Sequence, residues 1–232
     1  MDNKNYHDEQ IKKNILRLRE YCNALPDFCN DYFLGTRQVI SSRTHLAYAY
    51  DLKVFFEFIH NTKRNYKDIE ITDFPLSILD EITRRDIIQF LEYVSLYEKD
   101  GKERMNDEKS RARKLSTLKS FYRYFYTNEI IKTNPAALVP MPKIHEKEII
   151  RLDVNEVVEL LDLVERGDKL TTGEKRYFNK NSVRDFTILT VMLGTGIRVS
   201  ECVGLNLQDL DIEENRFKVR RKGGYEDIVY FG

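Results

Sequence analysis

Several things are scarce in this sequence of 232 residues. Cysteine is one: Cys22, Cys29 and Cys202 are odd in number and follow no metal-ligand spacing, so they read as reduced thiols rather than a disulfide framework or a zinc site. A charge excess is another. Lys and Arg together number 38 and so do Asp and Glu, which excludes a uniformly basic coat but leaves local patches open. No apolar run is long enough to cross a bilayer, and the polar start MDNKNYHDEQIKKN is no secretion signal. No internal repeat or low-complexity tract is visible. The expectation is a cytoplasmic globular protein, with 41% hydrophobic residues to fill one or two cores.

What is present is mainly helical period. Ile11, Ile15 and Leu18 recur at helical spacing. Tyr48, Leu52, Phe55, Phe56 and Ile59 form one stripe, with Lys53, Glu57 and His60 on another. Thr83 and Asp86 form a capping box ahead of Ile87, Phe90, Leu91 and Val94. Leu115, Leu118, Tyr122 and Phe125 mark a further helix over 109–126. Residues 61–78 and 98–108 read as long loops. Three of the five prolines fall in 134–149, where helices must stop, which places a domain boundary there. Beyond it Asp153 and Glu156 cap another helix. The polar stretch 166–181 reads as a loop, and Ser182 with Asp185 as the cap of the helix running to Gly194. From Arg216 onward the period becomes two, and Gly223-Gly224 suits a hairpin turn. The fold class is mainly α: a helical bundle at 36–142, preceded by an N-terminal helical arm at 1–35. An α+β part with a small antiparallel hairpin or sheet follows at 146–232. The chain stops just after a fresh hairpin, so a fragment of a longer protein is expected.

Three constellations carry chemistry. Between Lys109 and Arg123 lie six basic residues and no acid. Lys109, Arg113, Ser116, Ser120 and Arg123 share a face, with Lys114 and Lys119 flanking it. Cations on such a face release counterions from DNA, and hydroxyls can bond phosphate oxygens. A solvated helix face is the alternative, although such faces usually interleave acids. The second is the tail, where Arg216, Lys218, Arg220, Arg221 and Lys222 crowd one strand and turn; they could reach a phosphate, or guard an edge strand. The third is Gly194-Thr195-Gly196-Ile197-Arg198-Val199-Ser200-Glu201. Its glycines end a helix, Arg198 starts the next, and Glu201 at i+3 can orient the guanidinium. By spacing alone, an i,i+3 surface ion pair explains the last two residues equally well.

GTGIRVSECVGLNLQDLDI followed by RFKVRRKGGYEDIVYFG resembles the first half of the catalytic domain of tyrosine recombinases, the phage-integrase family. Thr44, Tyr48, Asp51-Leu52 and Phe55, then Arg113, Leu115-Ser116, Lys119 and Phe121-Tyr122, resemble that family's helical core-binding domain. The resemblance spans roughly residues 36–232. It implies a clamp around double-stranded DNA, in which a tyrosine attacks a phosphate, two arginines grip its oxygens and a lysine protonates the departing 5′-hydroxyl. Arg198 would be the first gripping arginine, Glu201 its acidic helper and Lys222 the hairpin lysine, with Arg220 and Arg221 as weaker alternatives for that last role. Thr44, Lys109, Arg113, Lys114, Ser116, Lys119, Arg123, Arg220 and Arg221 would contact DNA. No metal or other cofactor is implied.

The family also needs a downstream H-x-x-R and a nucleophilic tyrosine. The four histidines, His7, His45, His60 and His145, all precede Arg198, and none begins H-x-x-R. Tyr225 and Tyr230 sit where the family keeps no nucleophile and read as structural. The expectation is a chain that binds DNA but does not cleave or rejoin it unaided. It would be monomeric in solution, and its parent recombinase a tetramer on DNA. A non-catalytic DNA-binding regulator and a helical adaptor are the other readings. The target sequence, and the choice among phage integration, transposition and dimer resolution, are not legible.

Overall fold

The computed structural model describes residues 6–99, 101–145 and 148–232. Two compact units form: Glu9–Lys147, and Glu148–Gly232 together with the start of the chain up to Asp8. The expected boundary at 134–149 therefore contains the division, although residues 146 and 147 lie outside the described residues. Among the described residues no helix is long and apolar enough to cross a membrane.

The first unit is helical: α1 (Tyr6–Cys22) from Glu9 onward, α2 (Phe28–Gly35), α3 (Ser42–Thr62), the short α4 (Ile78–Glu81), α5 (Arg84–Tyr93) and α6 (Glu108–Thr127). The apolar stripe read on α3 is its buried face, with Leu52, Phe55, Phe56 and Ile59 wholly inside. It meets Leu115, Leu118, Phe121 and Phe125 of α6 in one aromatic-rich core. Phe121 and Phe125 lie edge to face at 5.0 Å, as do Phe55 and Phe90, the arrangement favoured by ring quadrupoles. Thr83 and Asp86 make the expected capping box on α5.

Two expectations change in this unit. The last part of the expected arm, residues 25–33, is not separate, because Leu25, Phe28, Cys29, Tyr32 and Phe33 are core residues packed with α3 and α6. The expected loop at 98–108 contains a hairpin, β1 (Leu96–Lys99) against β2 (Lys102–Met105), with Lys99 opposite Lys102. Between the strands Gly101 takes φ 68°, a conformation that costs glycine least. These strands are short and polar, so they carry no alternation to read.

The second unit consists of α7 (Val154–Arg166), α8 (Thr172–Thr195), α9 (Val199–Val203) and an antiparallel sheet in the order β3 (Leu210–Asp211), β4 (Arg216–Arg220), β5 (Glu226–Tyr230). The expected loop at 166–181 is mostly helix. α8 starts at Thr172, well before the Ser182–Asp185 pair, capped by Thr171 and Glu174 in a T-x-x-E box. Thr171's hydroxyl is the cap acceptor for the Glu174 N–H, so Ser182 lies inside the helix. The polarity that suggested a loop reflects a helix with no buried residue along its 24 positions. Asp153 and Glu156 cap α7 as expected.

Candidate nucleic-acid interface

The turn after α8 aims a charge. Gly196 sits at φ 67°, the left-handed cap position, and its N–H closes onto the Met192 carbonyl at 2.9 Å. Gly194 is still helical. The next residue, Ile197, is buried with Phe217, Val219 and Val229, the small core of this unit. Arg198 follows as the N-cap of α9, in extended conformation. Its backbone N–H donates to Glu201 Oε2 at 2.9 Å and its Nη1 donates to Glu201 Oε1 at 2.8 Å. The glutamate is 2% exposed, whereas the Arg198 side chain is 65% exposed. A buried anchor therefore holds an outward guanidinium, which is more than a surface i,i+3 pair.

The hairpin reaches the same carboxylate. Arg221 Nη1 donates to Glu201 Oε2 at 2.9 Å and Arg221 Nε to Asp227 Oδ2 at 3.0 Å. Burial acts to raise the Glu201 pKa, but the Arg198 N–H, the Arg198 guanidinium and the charge of Arg221 outweigh it, leaving the carboxyl below its ordinary range. Arg221 is raised, first by its bond to Asp227. Its N–H closes the turn onto the Tyr225 carbonyl at 2.9 Å, and Gly223 and Gly224 take φ 101° and 88°. Lys222, on that turn, is exposed and has no ion-pair partner among the described residues. Arg220 is exposed at the end of β4. Lys218 pairs with Glu226 at 3.1 Å and Arg216 with Asp211 at 2.9 Å. The five basic residues of the tail are thus not equivalent. Arg221 was grouped with the DNA contacts from sequence, but its guanidinium is engaged by two carboxylates.

In the helical unit the basic face of α6 is real but smaller than its sequence suggests. Lys109 and Arg123 are exposed and Lys119 is half-buried. Lys114, expected to flank the face, is 1% exposed: its Nζ donates to Asp51 Oδ1 at 2.9 Å and lies over the Tyr50 ring. It is inside because Asp51, on the buried side of α3, needs cations. Arg113 donates to the same carboxylate through Nη1 and Nη2, and Thr117 donates a third kind of bond from its hydroxyl at 2.9 Å. The hydroxyls are also partly committed. Ser116 Oγ donates to the Ala112 carbonyl at 3.0 Å, Ser120 Oγ pairs with Tyr32 Oη at 2.8 Å, and Thr44 Oγ1 pairs with Ser41 Oγ at 2.9 Å. A lone acid in the apolar stripe of α3 was the readable signal for Asp51. The Arg221–Glu201 link had none, since the residues are twenty apart.

Two family models match in tandem: the phage integrase N-terminal SAM-like domain over residues 27–129 and the phage integrase family over residues 150–232. A tyrosine recombinase XerC of Caldanaerobacter subterraneus is 31% identical over 95% of this chain and 59% of its own length. Another, from Thermodesulfovibrio yellowstonii, is 36% identical over 83% of the chain and 52% of its own length. The chain thus spans between half and three fifths of these relatives. Among solved structures, a lambda integrase dimer bound to a core site matches with TM-score 0.58 at 16% identity, over 88% of this chain and 60% of that one. The Tn1549 transposon integrase in complex with a circular intermediate DNA matches at 0.50 and 20% identity, over 88% and 60%. These last two likenesses are of fold. From the paired family models and the relatives together, the chain belongs to the phage integrase family of tyrosine recombinases.

Proposed function

We propose that this chain is the DNA-gripping part of a site-specific tyrosine recombinase, which cuts and rejoins double-stranded DNA through a tyrosine–phosphate link. The observation that carries this reading is the exposed Arg198 guanidinium, held by a buried glutamate that Arg221 ties to the turn bearing Lys222. In such a reaction the attacked phosphate gathers negative charge. A cation already fixed in place stabilises that charge without reorganising. Arg198 serves that role, Glu201 orients it, and Lys222 is the proton donor to the departing 5′-hydroxyl. No metal or other cofactor enters this reading. Lys109, Lys119 and Arg123 of α6, with Ser116 of the same helix and Thr44 of α3, lie against the DNA backbone. Arg113 offers the donors that Asp51 leaves free, and Arg220 adds charge at the hairpin. The helical unit acts as the core-binding domain and residues 148–232 as the first part of the catalytic domain. The chain alone is a monomer in the cytoplasm, the assembled recombinase a tetramer on its site, and the DNA acted on that of a mobile element or replicon.

The test is equilibrium binding of this chain to duplex DNA across a salt series, with a covalent-adduct assay in parallel. Affinity is expected to fall steeply as salt rises, and Arg198→Ala to weaken it. No adduct should form, because the nucleophile is neither Tyr225 nor Tyr230. An adduct lost on Tyr→Phe at either position would overturn that assignment; binding indifferent to salt would overturn the DNA reading.

A further inference from the structure

Helix α1 belongs to no motif described so far, yet it faces the basic side of the helical unit. Arg17 and Tyr21, one turn apart on α1, line a cleft of about 330 Å³ with Arg43, Ala47 and Tyr50 of α3 and Arg113 of α6. The cleft brings together three arginines from three helices, and no carboxylate lines it. Arg17 and Arg43 are exposed and have no ion-pair partner among the described residues. Arg113 gives one hydrogen from each terminal nitrogen to Asp51, which leaves Nε and the outer hydrogens for a ligand. Beneath it the buried Lys114 also pairs with Asp51 and offsets that carboxylate's charge, so the positive charge of Arg113 is not cancelled. Tyr21 and Tyr50 meet edge to face at 6.1 Å and form an apolar wall.

Three arginines lining one cleft, two of them without an ion-pair partner among the described residues, fit an oxyanion with several equivalent oxygens, since a planar fork can bond two of them. The cleft is open to solvent, and α6, which brings Arg113 to it, also carries the exposed Lys109 and Arg123. A phosphate that is one of a row suits that layout better than a free small anion, which would engage the cleft and leave Lys109 and Arg123 unused. We propose that α1 is part of the DNA grip, with Arg17, Arg43 and Arg113 cradling a backbone phosphate of duplex DNA. This rests on the DNA-binding reading of the helical unit and extends it to a helix that the motifs leave out.

The experiment measures duplex DNA binding by fluorescence anisotropy over a salt series for the full chain, Arg17→Ala, Arg17→Lys and Arg123→Ala, with thermal melts confirming unchanged folding. Arg17→Ala is expected to weaken binding and to make the slope of log K against log salt shallower by about one. Arg17→Lys should restore the slope, because charge sets it. If Arg17→Ala binds like the parent while Arg123→Ala is weakened, the DNA face stands and α1 is no part of it. Tighter binding by Arg17→Ala would mean that α1 covers the face, which also overturns the proposal. Indifference to both alanine changes would remove the DNA reading of this unit and the cradle with it.

Discussion

The two units are stabilised differently. In the helical unit α3 alone buries nine residues, and the core joins α2, α3, α5 and α6 without a break. In the second unit the buried apolar set is Ile197, Phe217, Val219 and Val229, while no residue of α7 or α8 is fully buried and α8 adds the partly buried Val191 and Met192. Apolar burial is the main favourable term in folding, so the first unit holds its shape by packing. The second relies on hydrogen-bonded caps, a glycine turn and charge pairs around a thin core. The same contrast governs the charges. Asp51 and Lys114 are sealed inside the first unit, whereas the buried Glu201 of the second holds Arg198 out to solvent. One arrangement locks two helices together; the other presents a cation.

The largest expected effect tests the first arrangement. Asp51→Ala leaves Lys114 buried and unpaired and should cost about 3–5 kcal/mol, read by urea unfolding. Replacing Asp51 and Lys114 together by apolar residues should recover much of that, which would separate the charge cost from lost packing. Next is Glu201→Gln, which removes the charge that three donors share and should cost about 2 kcal/mol at pH 7. Its pH dependence has a definite sign. The folded pKa is depressed, so the stabilisation is present above the ordinary carboxylate range and is lost as pH falls through the folded value. Denaturation from pH 7 to pH 3 should therefore show the parent losing an increment that the variant lacks. A variant as acid-sensitive as the parent would place the titrating group elsewhere. Gly196→Ala puts a side chain at φ 67° and should cost about 1 kcal/mol. Its larger consequence should be weaker DNA binding, since the turn aims Arg198. The smallest pair compares Thr171→Ala, a cap loss of about 1 kcal/mol, with Ser182→Ala, within about 0.5 kcal/mol. Equal effects would contradict the start of α8 at Thr172.

What could be read from sequence follows the same division. The stripes of α3 and α6 were legible because burial imposes a period, and the Thr83 and Asp153 caps because each is a local rule satisfied within four residues. α8 was misread at its start because its exposed first half has no apolar period, although the Thr171–Glu174 box was present to be found. The 96–105 hairpin was hidden by polar strands. At the proposed site, Arg198 and Glu201 are expected from a local motif and a resemblance, and Lys222 from the resemblance. The burial of Lys114 and the double engagement of Arg221 depend on partners 63 and 20 residues away. No short-range pattern records such pairings. The three-arginine cleft was equally invisible, since it exists only once three helices meet.

Ile197 gives the thin core a further meaning. It immediately precedes Arg198, and it packs with Phe217 and Val219 of the strand that leads to Arg221 and Lys222. The turn and the hairpin therefore share one fulcrum. A change of volume at any of these side chains shifts both cations by correlated amounts, so the distance between them is better protected than either position alone. Sequence drift on the outer surfaces of α7 and α8 leaves that span untouched. Drift at Ile197, Phe217 or Val219 detunes both cations at once, and no single surface substitution can restore it.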